Sequence, residues 1–242
     1  MSTRRVSRHL PIAVTAVVAF FSALGALAVS NGTDMAQAHG NQPQHAQPPM
    51  AVSRSAHGSP MLKAKAVELR MDMRKLWEDH ITWTRLAIIS LTTNSPDTEA
   101  TVGRLLQNQT DIGDAVKPFY GNAAGDQLTA LLKQHILIAA DLIAAAQAGD
   151  GAKLADEQAR WVANADQIAA ALHSLNPRNW SLAEMQEMMH RHLDLTTQEV
   201  VARLHGNWSA DVAAYDKVHL EILEMSDMLS DGIVKQFPAR FR

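Results

Sequence analysis

The chain of 242 residues contains no cysteine. Disulfides, zinc–thiolate sites, cysteine nucleophiles and lipid attachment through a cysteine are therefore excluded. The sequence also lacks a phosphate-binding glycine loop, a Gly-x-Ser-x-Gly motif and the glycine fingerprint of dinucleotide-binding folds. Any chemistry in this chain must come from other side chains, above all His, Asp, Asn and Met.

An excess of positive charge is also missing, since the formal net charge is −3 with neutral histidines. Residues 1–38 hold three of the 22 Lys and Arg and one of the 25 Asp and Glu, which leaves 19 basic against 24 acidic residues. The remaining net charge of −5 follows from the same counts. Nucleic-acid binding needs a basic face, so this composition argues against a nucleic-acid partner.

Only one long apolar run occurs, at residues 11–30 near the N-terminus. Three basic residues precede it, namely Arg4, Arg5 and Arg8. The small-x-small segment 36–38 follows it and fits a cleavage site, so residues 1–38 are predicted to be a signal peptide and His39 the mature start. A retained N-terminal membrane anchor is the alternative, because the run is near the ~20 residues needed to span a bilayer. The protein is therefore predicted to be secreted or extracytoplasmic, without stable membrane insertion after cleavage.

Residues 39–60 are rich in Gln, Pro, Ser, Ala and His and have few large apolar side chains, which predicts a flexible linker. From residue 61 to 238 apolar residues recur with the helical period, and no window alternates as a strand would. The sequence predicts an all-α, single-domain antiparallel bundle of about six helices. The predicted helices span 62–93, 97–118, 124–148, 152–175, 181–206 and 209–237.

Some residues recur at an offset of 84 positions. Trp77 and Trp161 are one such pair, and His135 and His219 are another. A duplicated three-helix unit is therefore an open alternative to six unrelated helices. In a duplicated bundle, each half would supply two histidines and one asparagine around a two-fold axis.

Four histidines fall on the apolar stripes of four predicted helices. They are His80, His135, His192 and His219. A buried imidazole needs hydrogen-bond partners or a ligand, and metal sites in helical bundles are built from side chains on facing helices. The pattern therefore predicts that the four rings point into the bundle and hold a transition metal, either at one shared site or in two separate pairs.

Polar residues on the neighbouring helices could complete such a site, because a metal-binding histidine usually has a carboxylate or carbonyl behind it. The candidates are Asp111, Asp141, Asp166, Asp227, Asn108 and Asn164. With no thiolate, the expected ion is zinc, iron, manganese or copper. Two alternatives remain open: a non-catalytic structural or interaction protein of the cell envelope with a buried His/Asp network, and a metal-dependent enzyme with an open coordination position.

Five segments resemble a family of small, mostly uncharacterised helical proteins of bacilli and actinomycetes. They are Leu69–Arg85, Leu106–Gly113, Lys117–Gly121, His135–Asp141 and Met228–Val234, and the resemblance covers nearly all of 65–238. Some members carry names such as glycosyltransferase or acetylglutamate kinase, activities that normally belong to α/β nucleotide-binding folds. This chain has no strands for such a fold, so the resemblance implies a helical protein and no catalytic residues.

Overall fold

A computed structural model describes residues 60–242, with side chains from residue 64 onward. Its six long helices are α1 (Pro60–Thr93), α2 (Thr98–Tyr120), α3 (Asn122–Ala148), α4 (Gly151–Leu175), α5 (Leu182–Leu204) and α6 (Trp208–Gln236), followed by a 3-10 helix at Pro238–Phe241. The prediction of an all-α bundle of about six helices is confirmed. The predicted signal peptide, and the linker up to residue 59, lie outside the described residues.

The helix ends follow local sequence signals. Ser181 caps α5, since its Oγ accepts a hydrogen bond from the Glu184 amide at 3.3 Å and donates one to the Glu184 carboxylate at 2.7 Å. Gly149 ends α3 in the left-handed conformation, with φ 68°. Helix α2 was predicted to stop at Pro118 but continues for two further residues to Tyr120, where Gly121 follows with φ 85°.

The six helices form a closed ring. Each helix packs against the next one in sequence, and α6 returns against α1. Arg74 on α1 closes the ring by donating two hydrogen bonds to the Asp227 carboxylate on α6, at 2.7 and 2.6 Å. The short connections make sequential helices antiparallel neighbours, so the chain consists of three helical hairpins, α1–α2, α3–α4 and α5–α6.

The first helix of each hairpin faces the centre of the bundle. Ile88, Ile143 and Val200 come from α1, α3 and α5 and form one apolar cluster. Each of them lies eight residues after one of the histidines His80, His135 and His192, so two turns of helix separate the cluster from the imidazoles. This stacking of equivalent positions brings those three histidines to one level of the core.

Among residues 60–242, one helix is long and apolar enough by composition to cross a membrane, namely α3. Of its most apolar 18-residue window, 44% is buried inside the bundle. A core helix of a bundle has such a composition because it packs against neighbours on most sides.

Candidate metal centre

Three of the four predicted histidines lie together in the centre of the bundle. His80, His135 and His192 are only 3%, 4% and 4% exposed. The ring centroids of His80 and His192 are 5.9 Å apart, and those of His135 and His192 are 6.5 Å apart. The helical period of α1, α3 and α5 therefore predicted the inward orientation of these rings correctly.

Each of the three rings is held at Nδ1 by a side chain of the following helix, 29 residues further along the chain. The pairs are His80 with Gln109 at 3.2 Å, His135 with Asn164 at 2.8 Å, and His192 with Glu221 at 2.9 Å. We call these six residues the imidazole layer. The same contact recurs in each hairpin, so the repeating unit of the core is the hairpin. The offset of 84 residues does not describe this repeat, because it would match His80 with Asn164, a residue that here holds another histidine.

The hydrogen bonds at Nδ1 decide which nitrogen of each ring carries a lone pair. Asn164 contacts His135 through Oδ1, an acceptor, so His135 donates from Nδ1 and its Nε2 is unprotonated in the neutral ring. The carboxylate of Glu221 has the same effect on a neutral His192. His135 Nε2 is buried and has no hydrogen-bond partner among the described residues. A buried lone pair without a partner is a place for a ligand.

His80 has the opposite tautomer. Gln109 contacts its Nδ1 through Nε2, and because an amide nitrogen only donates, the His80 ring carries its proton on Nε2. The same amide nitrogen also donates to the Leu105 carbonyl oxygen at 2.9 Å, while Gln109 Oε1 is buried without a partner in the described chain. Gln109 Nε2 also lies 3.1 Å from Asn108 Oδ1, so a turn of the amide would set Oε1 against two acceptor oxygens, and the present orientation keeps the proton of His80 on Nε2.

Glu221 is a buried carboxylate in the imidazole layer, with 2% of its surface exposed. Its one ionic contact within residues 60–242 is with His192, and its Oε1 has no hydrogen-bond partner there. An isolated ionised carboxylate is very costly to bury. A cation bound nearby would compensate such a charge.

Burial keeps two of the imidazoles neutral. Desolvation, and after it the charge of a protonated His192, lowers the pKa of His135 to about 3 and that of His80 well below its usual value. Trp77 and Trp161 enclose the layer, with ring centroids 5.6 Å from His80 and 5.2 Å from His135. Neutral imidazoles in an apolar enclosure are the form that coordinates a transition metal.

The spacing of the rings is close to that of shared ligands. Two imidazoles bound to one ion through bonds of about 2.0–2.1 Å have centroids about 5 Å apart at a tetrahedral angle and about 6 Å apart when nearly opposed. The separation of 5.9 Å between His80 and His192 lies at the upper end of this range, and that of 6.5 Å between His135 and His192 lies beyond it. As they lie, no three His, Asp or Glu side chains of the described part of the chain are positioned to hold an ion. Coordination would require the rings to move together by about 1 Å.

His219 does not lie with the other three histidines, so of the predicted arrangements the one in which all four share a site is not formed. It is half-buried between α6 and α1, where its Nε2 lies 2.7 Å from Glu78 and its ring stacks on Tyr215 at 5.7 Å. On α6 the apolar residues Ile222 and Leu229 are buried, but Asp211 and Glu221 are buried beside them and Val212 is 52% exposed. Asp211 and Glu221 therefore point into the bundle, where the helical period had placed apolar residues.

The four aspartates predicted to support the imidazoles lie outside the layer. Asp227 is paired with Arg74, and this hydrogen bond lowers its pKa. Asp166 contacts His190 at 3.0 Å, Asp111 accepts from Gln107 at 3.0 Å, and Asp141 is exposed. Aspartates favour the surface unless a partner is present. The prediction that they stand behind the imidazoles is therefore wrong for all four.

The two predicted asparagines are both buried in the core. Asn164 contacts His135 and also donates to the Leu131 carbonyl oxygen at 3.2 Å. Asn108 makes the corresponding backbone contact in the first hairpin, donating to the Leu76 carbonyl oxygen at 2.9 Å. Its neighbour Gln109, which had not been predicted, reaches the imidazole in its place.

Glu221 and Gln109 are the site residues that the sequence reasoning missed. The recurring interval of 29 residues between each histidine and a polar residue was the signal that could have found them. No protein-family model, no curated protein and no solved structure matches this chain. Its function must therefore be argued from the imidazole layer itself.

Proposed function

We propose that this protein binds a transition-metal ion between the Nε2 atoms of His135 and His192, beside the neutral ring of His80. The single observation that supports this most is the buried Nε2 of His135, which has no partner within residues 60–242. A ring fixed at Nδ1 with its other nitrogen free is the arrangement found in metal-binding histidines.

Glu221 contributes charge to this site. Through its contact with His192 it orients the ring and makes its Nε2 a better donor, as carboxylates behind metal-binding histidines do. A divalent ion would also supply the positive charge that the layer lacks. Nitrogen donors with a nearby carboxylate suit zinc, copper and iron, and suit manganese less well.

The test is metal binding by protein purified without a histidine tag and stripped of metal. Isothermal titration with zinc, copper, iron and manganese salts should give one tight site per chain for at least one ion. His135→Gln should abolish this site. His190→Gln is the matched control, because His190 is an exposed histidine on α5 and its replacement should leave binding unchanged.

Binding must also stabilise the fold, since a ligand of the native state adds RT ln(1 + [L]/Kd) to the free energy of unfolding. A free ion concentration of about 100 times Kd should add about 2.7 kcal/mol, readable as a higher melting temperature. Absence of both binding and stabilisation would contradict the proposal. The imidazole layer would then be a structural network that fixes how the helices pair, in a non-catalytic envelope protein.

Export belongs to the same proposal, and it is supported by the basic residues, the apolar run and the small-residue site at the N-terminus. We expect protein recovered from outside the cytoplasm to begin at His39. N-terminal sequencing of that fraction tests this, and a first residue of Met1 would support a retained anchor.

A further inference from the structure

A cavity of about 40 Å³ lies between the imidazole layer and the apolar cluster formed by Ile88, Ile143 and Val200. Its lining includes that cluster and the residues that stand four positions after the three histidines, namely Thr84, Ala139 and Thr196. One turn of helix, about 5.4 Å, therefore separates this axial cavity from the level of the imidazoles. The helices α1, α3 and α5 that carry the imidazoles thus also enclose the cavity.

The surface that faces the axial cavity is apolar. Thr84 turns its hydroxyl back to its own helix, where Oγ1 donates to the His80 carbonyl oxygen at 2.8 Å. Thr196 Oγ1 and Trp161 Nε1 are fully buried, so neither atom opens onto the cavity, and almost no other polar atom does. A buried water molecule needs two to four polar partners, which it would not find here. The cavity therefore favours an apolar occupant over water.

The volume of the axial cavity limits the size of that occupant. A single water molecule needs about 10–15 Å³, whereas an engineered apolar cavity that binds benzene has about 150 Å³ and stays dry when it is empty. At about 40 Å³ the axial cavity is too small for a ring but has room for a molecule of two heavy atoms. Size and lining together point to a neutral diatomic molecule.

We propose that the axial cavity is a binding site for a neutral diatomic gas of the dioxygen class, one turn of helix from the imidazole layer. This site goes beyond the proposed metal centre, because the cavity is formed by apolar side chains and needs no ion. An ion bound in the layer would have the gas beside it, and that consequence alone rests on the proposed function.

Dioxygen itself is the probe, because it is paramagnetic and speeds the relaxation of nuclei close to it. Metal-free protein is labelled with ¹³C at the isoleucine δ-methyl groups and equilibrated with dioxygen or, as a diamagnetic reference, with nitrogen at the same pressure. The extra relaxation caused by dioxygen should be several-fold larger at Ile88 and Ile143 than at Ile222 and Ile233. The last two are internal controls, because they are at least as deeply buried and lie outside the cavity.

Ala139→Val fills the axial cavity with two further methyl groups and should remove the excess relaxation of Ile88 and Ile143. Ala140→Val is the matched control, because Ala140 is the next residue of α3, is also half-buried and lies outside the cavity. It should leave the excess unchanged. Val200→Ile adds one methyl group from α5 and should reduce the excess, so it serves as a milder second variant if Ala139→Val folds poorly.

Equal relaxation of all four isoleucines in the wild type under dioxygen would overturn the proposal. A nuclear Overhauser effect between water and the methyl groups of Ile88 and Ile143 would overturn it too, because it would show a resident water molecule. Loss of the excess in Ala140→Val as well as in Ala139→Val would also contradict the site. The protein is free of metal throughout, so the metal centre can fail in its own titration while the axial cavity stands, and the reverse.

Discussion

Two polar regions are buried in this bundle, and they balance charge in different ways. The arginine cluster, which consists of Arg85, Arg203, Glu199 and Asp211, lies between α1, α5 and α6. Arg85 donates to Glu199 at 2.7 Å and also to Asp211, and Arg203 donates to Asp211 at 2.9 Å. Two arginines thus face two carboxylates, and the carboxylates of Glu199 and Asp211 are almost fully buried.

The imidazole layer contains only one formal charge, that of Glu221, and no arginine or lysine of the described chain pairs with it. The two carboxylates of the arginine cluster respond differently to burial. Burial would raise the pKa of Asp211, but hydrogen bonds from both arginines outweigh it and lower the value, whereas burial outweighs Arg85 at Glu199 and raises its pKa. The arginine cluster thus contains its own counter-charges, whereas Glu221 has no arginine or lysine partner among the described residues.

The largest expected effect comes from breaking the arginine cluster. Arg85→Met leaves Glu199 without its cation and removes one of the two that pair with Asp211, and removing one partner of a buried ion pair costs about 3–5 kcal/mol. Urea unfolding measures this loss. Arg191→Met is the control, because its pair with Glu224 is exposed and such pairs contribute about 0–1 kcal/mol. Equal losses in both variants would contradict the distinction between the two kinds of pair.

The sequence allowed the helices and three of the four inward histidines to be predicted, because burial on one side of a helix imposes a period of 3.6 residues. The helical period did not predict which charged residues are buried. Glu221 and Asp211 are buried because partners on other helices, His192 and Arg85, meet them there. A periodic pattern assigns charged residues to the solvent side, and it carries no information about which distant residue will compensate them.

A second prediction separates the two regions by pH. Unfolded histidine has a pKa near 6.5, and the folded pKa of His135 is about 3, so only the unfolded chain takes up this proton as the pH falls from 6.5. The contribution of His135 to the free energy of unfolding is thus fully present above pH 6.5 and is lost as the pH falls toward 3. Between pH 6.5 and 5 the loss from His135 should be about 2 kcal/mol.

The measurement is urea unfolding at pH 6.5 and 5 in metal-free buffer, for the wild type and for His135→Gln. The variant should lose about 2 kcal/mol less than the wild type over this interval, since it lacks the titrating group. The raised pKa of Glu199, which burial causes, acts equally on both proteins and cancels in the comparison. An identical pH dependence of the two proteins would contradict the neutral, buried state of His135.

The third prediction, with the smallest expected loss of stability, tests whether Asn164 orients His135 for metal binding or only packs in the core. Asn164→Leu removes the acceptor of His135 Nδ1 and leaves that donor buried, which costs about 1–3 kcal/mol. Asn176→Leu is matched to it, because Asn176 is a buried asparagine that donates to the Gly232 carbonyl oxygen at 2.9 Å and lies outside the imidazole layer. We expect similar losses in urea unfolding, but a 10–100-fold weaker metal affinity only for Asn164→Leu, as for other residues that orient metal-binding histidines. Equal metal affinities of the two variants would mean that Asn164 contributes to the fold alone, and the free nitrogen of His135 would then need another explanation than a bound ion.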